Sequence, residues 1–201
     1  MTRLGALPLP STQRANREAT LENEQTLVAA ARAGDEAAFE ALLRHHTPAL
    51  YRVVRRMTAD EMETEAILQE TFFRFWQALP RYQDDRPLFP YLVTIAANLA
   101  RDRWRRSRRL SDAALDEIPE VDDKAADLPE AWLLRQETLA ALAAAVEELP
   151  PPYRAVIALR YDAEMRYEDI AAALDLPLNT VRTHLRRAKA HLRAAIEEKL
   201  K

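Results

Sequence analysis

The chain has no cysteine. That removes disulfide frameworks, thiol catalysis and Cys-ligated zinc together. Glycine is nearly as scarce, since Gly5 and Gly34 are the only two and lie far apart. Phosphate-cradling loops need two or three glycines within a few residues, so nucleotide binding by those devices is excluded. The longest uninterrupted apolar run, Leu139 to Val146, has eight residues, against the roughly 18 needed to span a bilayer. The first 25 residues mix charges with Pro8 and Pro10 and hold no apolar stretch, so no secretory signal is expected. A soluble, cytoplasmic, non-redox protein without membrane insertion remains. His45, His46, His184 and His191 are the only imidazoles. None stands in the Glu-x-x-His spacing of di-iron helical bundles, so neither a metal nor a cofactor is expected.

What is present is unevenly spread. The 201 residues carry a net charge of −3, which alone argues against nucleic acid. Yet Arg101 to Arg109 holds six arginines and one Asp, and Arg182 to Arg193 holds four arginines and one Lys with no acid. Two concentrated basic segments on an acidic body say more than their sum.

Alanine, leucine, arginine and glutamate dominate, all good helix formers, and the prolines fall mostly between periodic segments. The pattern predicts an all-α protein of two small helical domains. A tail over 1–24 precedes a domain over 25–110, with helices over 24–33, 35–57, about 61–79 and 87–109. Pro48 is expected to kink the second, and Thr58-x-x-Glu61 reads as a capping box for the third. An acidic, proline-containing stretch over 111–129 reads as a flexible linker. A second domain over 130–201 follows, with helices over 130–148, 151–161, 167–174 and 178–199.

Residues 167–188 have the pattern of a helix-turn-helix. Ile170, Ala171 and Leu174 face inward, Asp175-Leu176-Pro177 makes the turn, and Asn179 or Thr180 caps the second helix. Val181, Leu185, Ala188 and Leu192 then form one apolar stripe. In such motifs the second helix enters the major groove with its N-terminal residues at base edges. Arg182, Thr183 and Arg186 are placed for bases, and Arg187, Lys189 and Arg193 for phosphates.

On the helix over 87–109, Leu88, Leu92, Ile95 and Leu99 form the core stripe. Thr94, Asn98, Arg101, Arg105 and Arg108 run opposite as a polar and then cationic ridge. Such a ridge can track a phosphate backbone. Trp104 beside it and Tyr91 at the helix entrance suit unstacked single-strand bases. On the preceding helix, Leu68, Phe72, Phe75, Trp76 and Leu79 are expected in the core. Glu63, Gln69, Glu70, Arg74 and Gln77, with Phe73 and Ile67 at the margins, read as a partner-binding face.

These pieces, in this order, resemble the extracytoplasmic-function class of bacterial sigma factors. The resemblance rests on Gly34-Asp-Glu-Ala-Ala-Phe-Glu-Ala-Leu-Leu, Leu68-Gln-Glu-Thr-Phe-Phe-Arg-Phe-Trp, and Tyr91-Leu-Val-Thr-Ile-Ala-Ala-Asn-Leu-Ala-Arg-Asp-Arg-Trp-Arg-Arg. Leu149-Pro-Pro-Pro-Tyr-Arg-Ala-Val, Tyr161 and the helix-turn-helix complete it. It implies a non-catalytic subunit of RNA polymerase that confers promoter specificity. The helix of Leu68 to Trp76 would then dock on the polymerase clamp helices. The ridge around Asn98 to Arg109 would handle the −10 element, with a base flipped into a pocket formed partly by the preceding loop. The helix-turn-helix would read the −35 element and rest on the polymerase flap. Many members are held inactive by an anti-sigma factor, so such a partner is implied too. The family usually has Gly at or near Asp175 and an acid where Ala66 sits. Twenty extended linker residues reach about 66–72 Å, enough for about 19–21 base pairs. The rival reading is a helix-turn-helix regulator that binds DNA without core polymerase.

Overall fold

The computed structural model describes residues 23–83, 87–111 and 136–199. The expected tail up to residue 22, the expected acidic linker beyond Ser111, residues 84–86 and the side chain of Arg108 lie outside them. Every regular element among the described residues is helical. The first half comprises α1 (residues 23–32), α2 (Glu36–Thr58), α3 (Glu61–Ala78), a 3-10 turn (Leu79–Arg81) and α4 (Leu88–Ser111). The second comprises α5 (Gln136–Glu148), α6 (Pro151–Ile157) running into a π-helical turn (Ala158–Asp162), α7 (Tyr167–Leu174) and α8 (Leu178–Lys199).

The helix ends follow from local chemistry. Gly34 takes φ +99° between α1 and α2, and the Asp35 carboxylate accepts from the Ala38 N–H at 3.1 Å to cap α2. Pro48 lies inside α2, which continues through it. The expected capping box at Thr58 is replaced by a cap two residues on. Ala59 turns into the left-handed region, φ 59°, so Asp60 takes the cap position and accepts from the Glu63 N–H at 2.6 Å. The Thr58 hydroxyl instead meets that of Thr64 at 2.8 Å.

α3 lies between α2 and α4 and contacts both. That widens its buried arc beyond a single stripe. Thr64, Ile67, Leu68, Thr71 and Phe75 are all buried, and the Thr71 hydroxyl folds back onto the Ile67 carbonyl at 2.7 Å. Ile67, expected at the margin of the partner face, is therefore corrected to the core, with no exposed surface. Trp76, expected in the core, keeps 43% of its surface exposed. It rests edge-on against Phe39 at 4.7 Å between ring centres, at the rim of the bundle. Leu88, Leu92 and Leu99 of α4 are buried as the periodicity required, with Ile95 half-buried beside them.

In the second half, α5 and α6 pack on α8, whose Val181, Leu185, Ala188, Leu192 and Ile196 are buried. α7 ends in a Schellman-type turn. Asp175 adopts φ 52°, its N–H reaches the Ala172 carbonyl, and the Leu176 N–H reaches that of Ala171 at 3.0 Å. Leu176 is half-buried.

The sequence left the relative placement of the two halves open. They lie against one another: α2 meets α6 and the π-helical turn, and α4 meets α7. The buried apolar side chains form one cluster through both halves. Across this seam Arg56 pairs with Asp162, Arg101 lies 3.7 Å from Asp175, and the Arg154 guanidinium reaches the Thr58 carbonyl at 3.4 Å. Burial raises the Asp162 carboxyl above its usual range, although Arg56 pulls the other way.

Two pairs of substitutions test this architecture by thermal or urea unfolding. Gly34→Ala meets no atom within 4 Å but must hold φ +99°, so it should lose about 1–2 kcal/mol, whereas Ala59→Gly should gain about 0.5–1 kcal/mol by relieving φ 59°. Ile67→Ala should cost about 2–5 kcal/mol, whereas Gln69→Ala, on the open side of α3, should stay within about 0.5 kcal/mol.

Candidate nucleic-acid interfaces

α8 begins directly at Leu178, where the Pro177 carbonyl accepts from the Thr180 and Val181 N–H groups at 2.9 and 3.2 Å. Asn179 and Thr180, expected as caps, thus lie within the first turn. Asn179, Arg182 and Arg186 are exposed along one side. The Asn179 side chain accepts from Arg182 at 3.3 Å, and the Thr183 hydroxyl is bonded to the Asn179 carbonyl at 2.9 Å. This is a pre-ordered polar end to the helix. Lys189 approaches the ring of Tyr161, and Arg193 is half-buried further along.

Arg187 departs from the expected outward row. It lines the seam with His184, one helical turn earlier. His184 lies against Tyr153 at 4.9 Å between rings. Burial, reinforced by the nearby Arg187 charge, pushes this imidazole below its ordinary pKa, so it is neutral near pH 7.

The ridge of α4 reaches the same seam. Tyr91, Thr94, Asn98 and Trp104 are half-buried and Arg105 is exposed. The Thr94 hydroxyl is bonded to the Pro90 carbonyl at 2.8 Å. Arg101 has only 16% of its side chain exposed, held between Asp102 and Asp175. Trp104 lines a cavity of about 640 Å³ between the halves, with Met57, Tyr153, Leu174, His184 and Arg187 around it. α7 therefore covers part of the ridge, while the N-terminal end of α8 faces outward.

On the far side of α4 a second hollow, of about 490 Å³, lies against α3. Gln69, Glu70, Phe73 and Arg74 border it from α3, and Asp102, Arg103 and Arg106 from α4. Phe73 is 55% exposed, placing a large apolar ring at the edge of this hollow. The Glu70–Arg74 pair, 2.8 Å apart, fixes the side chains next to it. Gln77 is exposed one turn beyond Phe73. Arg103 reaches across to the Glu63 carbonyl at 3.1 Å. Burial raises the Glu63 carboxyl, with the Arg103 charge opposing it. Arg103, His184, Asp162 and Asp175 were not picked out as site residues from the sequence; only folding brings them to the seam or the hollow. Among the described residues no three or more His, Asp and Glu side chains cluster as a metal site, and no helix is long and apolar enough to cross a membrane.

Two family models match this chain, Sigma-70 region 2 over residues 42–110 and Sigma-70, region 4 over residues 139–192. The RNA polymerase sigma-H factor of Pseudomonas aeruginosa is 30% identical over 189 residues, covering 90% of this chain and 98% of the relative. The ECF RNA polymerase sigma factor SigW of Bacillus subtilis is 28% identical over 172 residues, 82% of this chain and 92% of SigW. The structure of CnrH in complex with the cytosolic domain of CnrY superposes with a TM-score of 0.58 at 28% identity, covering 88% of this chain and 98% of CnrH. With both region models falling on the helices that carry the cationic faces, the chain belongs to the extracytoplasmic-function class of RNA polymerase sigma factors.

Proposed function

We propose that this chain is an alternative sigma factor that binds core RNA polymerase and directs promoter-specific initiation, with the two halves reading separate promoter elements. The carrying observation is that each region has one helix, α4 or α8, buried along one stripe and cationic along another. In this reading residues 25–110 take the −10 element through Tyr91, Thr94, Asn98, Arg101, Trp104, Arg105 and Arg108. Residues 130–201 take the −35 element through Asn179, Thr180, Arg182, Thr183 and Arg186, with Lys189 and Arg193 on phosphates. Arg187 joins them only once the seam opens. The exposed Phe73, flanked by Glu63, Gln69, Glu70, Arg74 and Gln77, takes the polymerase clamp, and the chemistry belongs to the polymerase.

The closed arrangement supports a two-state reading. Reading two separated elements at once requires the halves to move apart along the duplex, and the end of α7 lies against Arg101. Polymerase and DNA would have to bind the open form better, and only that difference in affinity can shift the balance. CnrH, a relative of known structure, was solved with the cytosolic domain of CnrY. An anti-sigma partner of this chain, implied by the resemblance, would act by favouring the closed form.

Run-off transcription with core polymerase and a promoter library tests the assignment. Arg182→Ala, Arg186→Ala and Asn98→Ala should each relax preference at single positions, by about 1–3 kcal/mol. Lys189→Ala and Arg193→Ala should weaken all promoters alike and flatten the salt dependence. Transcription by core alone equal to that with the chain would refute the function outright.

Opening is checked by small-angle X-ray scattering. Asp162→Asn combined with Asp175→Asn removes both carboxylates that pair with an arginine across the seam and should enlarge the radius of gyration of the free chain. Asp175 is 76% exposed at its side chain, so its pair alone is worth at most about 1 kcal/mol, and the single Asp175→Asn should change little. Mild acid should act in the same direction. Burial depresses the His184 pKa, so the closed form binds fewer protons there and loses stability as pH falls below the ordinary imidazole value. Asp162, raised by burial, opposes this only once the pH enters the carboxylate range.

A further inference from the structure

α1 precedes the matched region, which starts at residue 42, yet its side chains reach the start of the −10 ridge. Arg32 donates from Nε to the Leu79 carbonyl at 3.3 Å and from Nη2 to the Tyr82 carbonyl at 2.7 Å. Glu24 accepts from the Leu88 N–H, the first residue of α4, at 2.8 Å. Its other oxygen lies 3.1 Å from Nε2 of His46 on α2. This pair is sunk in the fold, with 12% of Glu24 and 6% of His46 exposed. His46 in turn stacks over Phe89 of α4.

One helix thus grips both ends of the connection between α3 and α4. The ends carry Tyr82 and, one turn into α4, Tyr91, whose rings lie 4.9 Å apart at a 50° tilt. Tyr82 also packs edge-on to the buried Phe75. Aromatic rings at the head of a cationic ridge are suited to a base that has left its stack. The spacing of this pair depends on the backbone at Tyr82 and at Leu88, the two places α1 holds.

We propose that Arg32 and Glu24 are positioning residues for −10 recognition, setting the Tyr82–Tyr91 pair and the first turn of α4 through the two ends of the connection. The inference rests on the assignment of α4 to the −10 element. A planar guanidinium reaches two carbonyls at once, which a lysine ammonium on its single stem does not match. The Glu24 carboxylate fills an open donor at the positive end of α4.

The test uses the full chain with core polymerase on promoters bearing single-base changes in either element, with permanganate reactivity of the melted thymines as a second readout. Arg32→Ala and Glu24→Ala should lose roughly tenfold in preference at −10 positions and in permanganate signal, while −35 preference and core binding hold. Glu24→Gln keeps an acceptor for the Leu88 N–H and should retain most of the preference; Arg32→Lys should not. Val156→Ala, which destabilises the buried core of the second half, serves as the control and should leave −10 preference intact. Loss of −10 and −35 preference together, or retention of both in folded Arg32→Ala and Glu24→Ala, overturns the positioning role. If Asn98→Ala and Arg105→Ala also leave −10 preference unchanged, the α4 assignment fails and takes this inference with it.

Discussion

A helix that carries six arginines in nine residues can bury only one side of itself, because an unpaired buried guanidinium costs far more than its packing returns. This constraint shapes the first half. α4 presents Leu88, Leu92, Val93, Ala96, Ala97 and Leu99 to α2 and α3, and its charges are left to line the seam and the hollow beside α3. α8 obeys the same rule with four arginines. The acids that answer Arg101 are Asp102 on α4 itself and Asp175 from the end of α7.

The seam is where the two regions compete for the same surface. Trp104, Arg101 and Arg187 are all drawn into it, although each belongs to a row that the periodicity points at DNA. Packing one cationic helix beside another would be repulsive. The arrangement is tolerable because Asp175 intervenes at Arg101 and because His184, pushed toward neutrality, adds no charge of its own. Closure is therefore a balance of apolar contact against like charge, which is the kind of contact that salt, acid or a polyanion can shift.

Much of this was legible in the sequence, for identifiable reasons. The helices announce themselves by period, and α7 was read at the bounds it has, since Tyr167 to Leu174 is amphipathic and followed by a turn that cannot continue a helix. The buried stripe of α8 followed from spacing alone. The errors share one cause. Ile67 and Trp76 were misplaced because a single apolar arc was assumed for α3, whereas two neighbours flank it and Trp76 rests against Phe39 at the rim. Thr58 lost its capping role because a left-handed Ala59 shifts the helix start, and alanine gives no warning of that. The seam had no signature. Arg56 and Asp162, or Arg101 and Asp175, are too far apart in the chain for any period to join them.

The turn at Asp175 has one more implication. A glycine would adopt its left-handed backbone without strain, and the carboxylate is of no use to the turn itself. The side chain instead adds one weak, solvent-screened contact to Arg101 on the other half. Glycine there would relieve the left-handed strain and give up that contact.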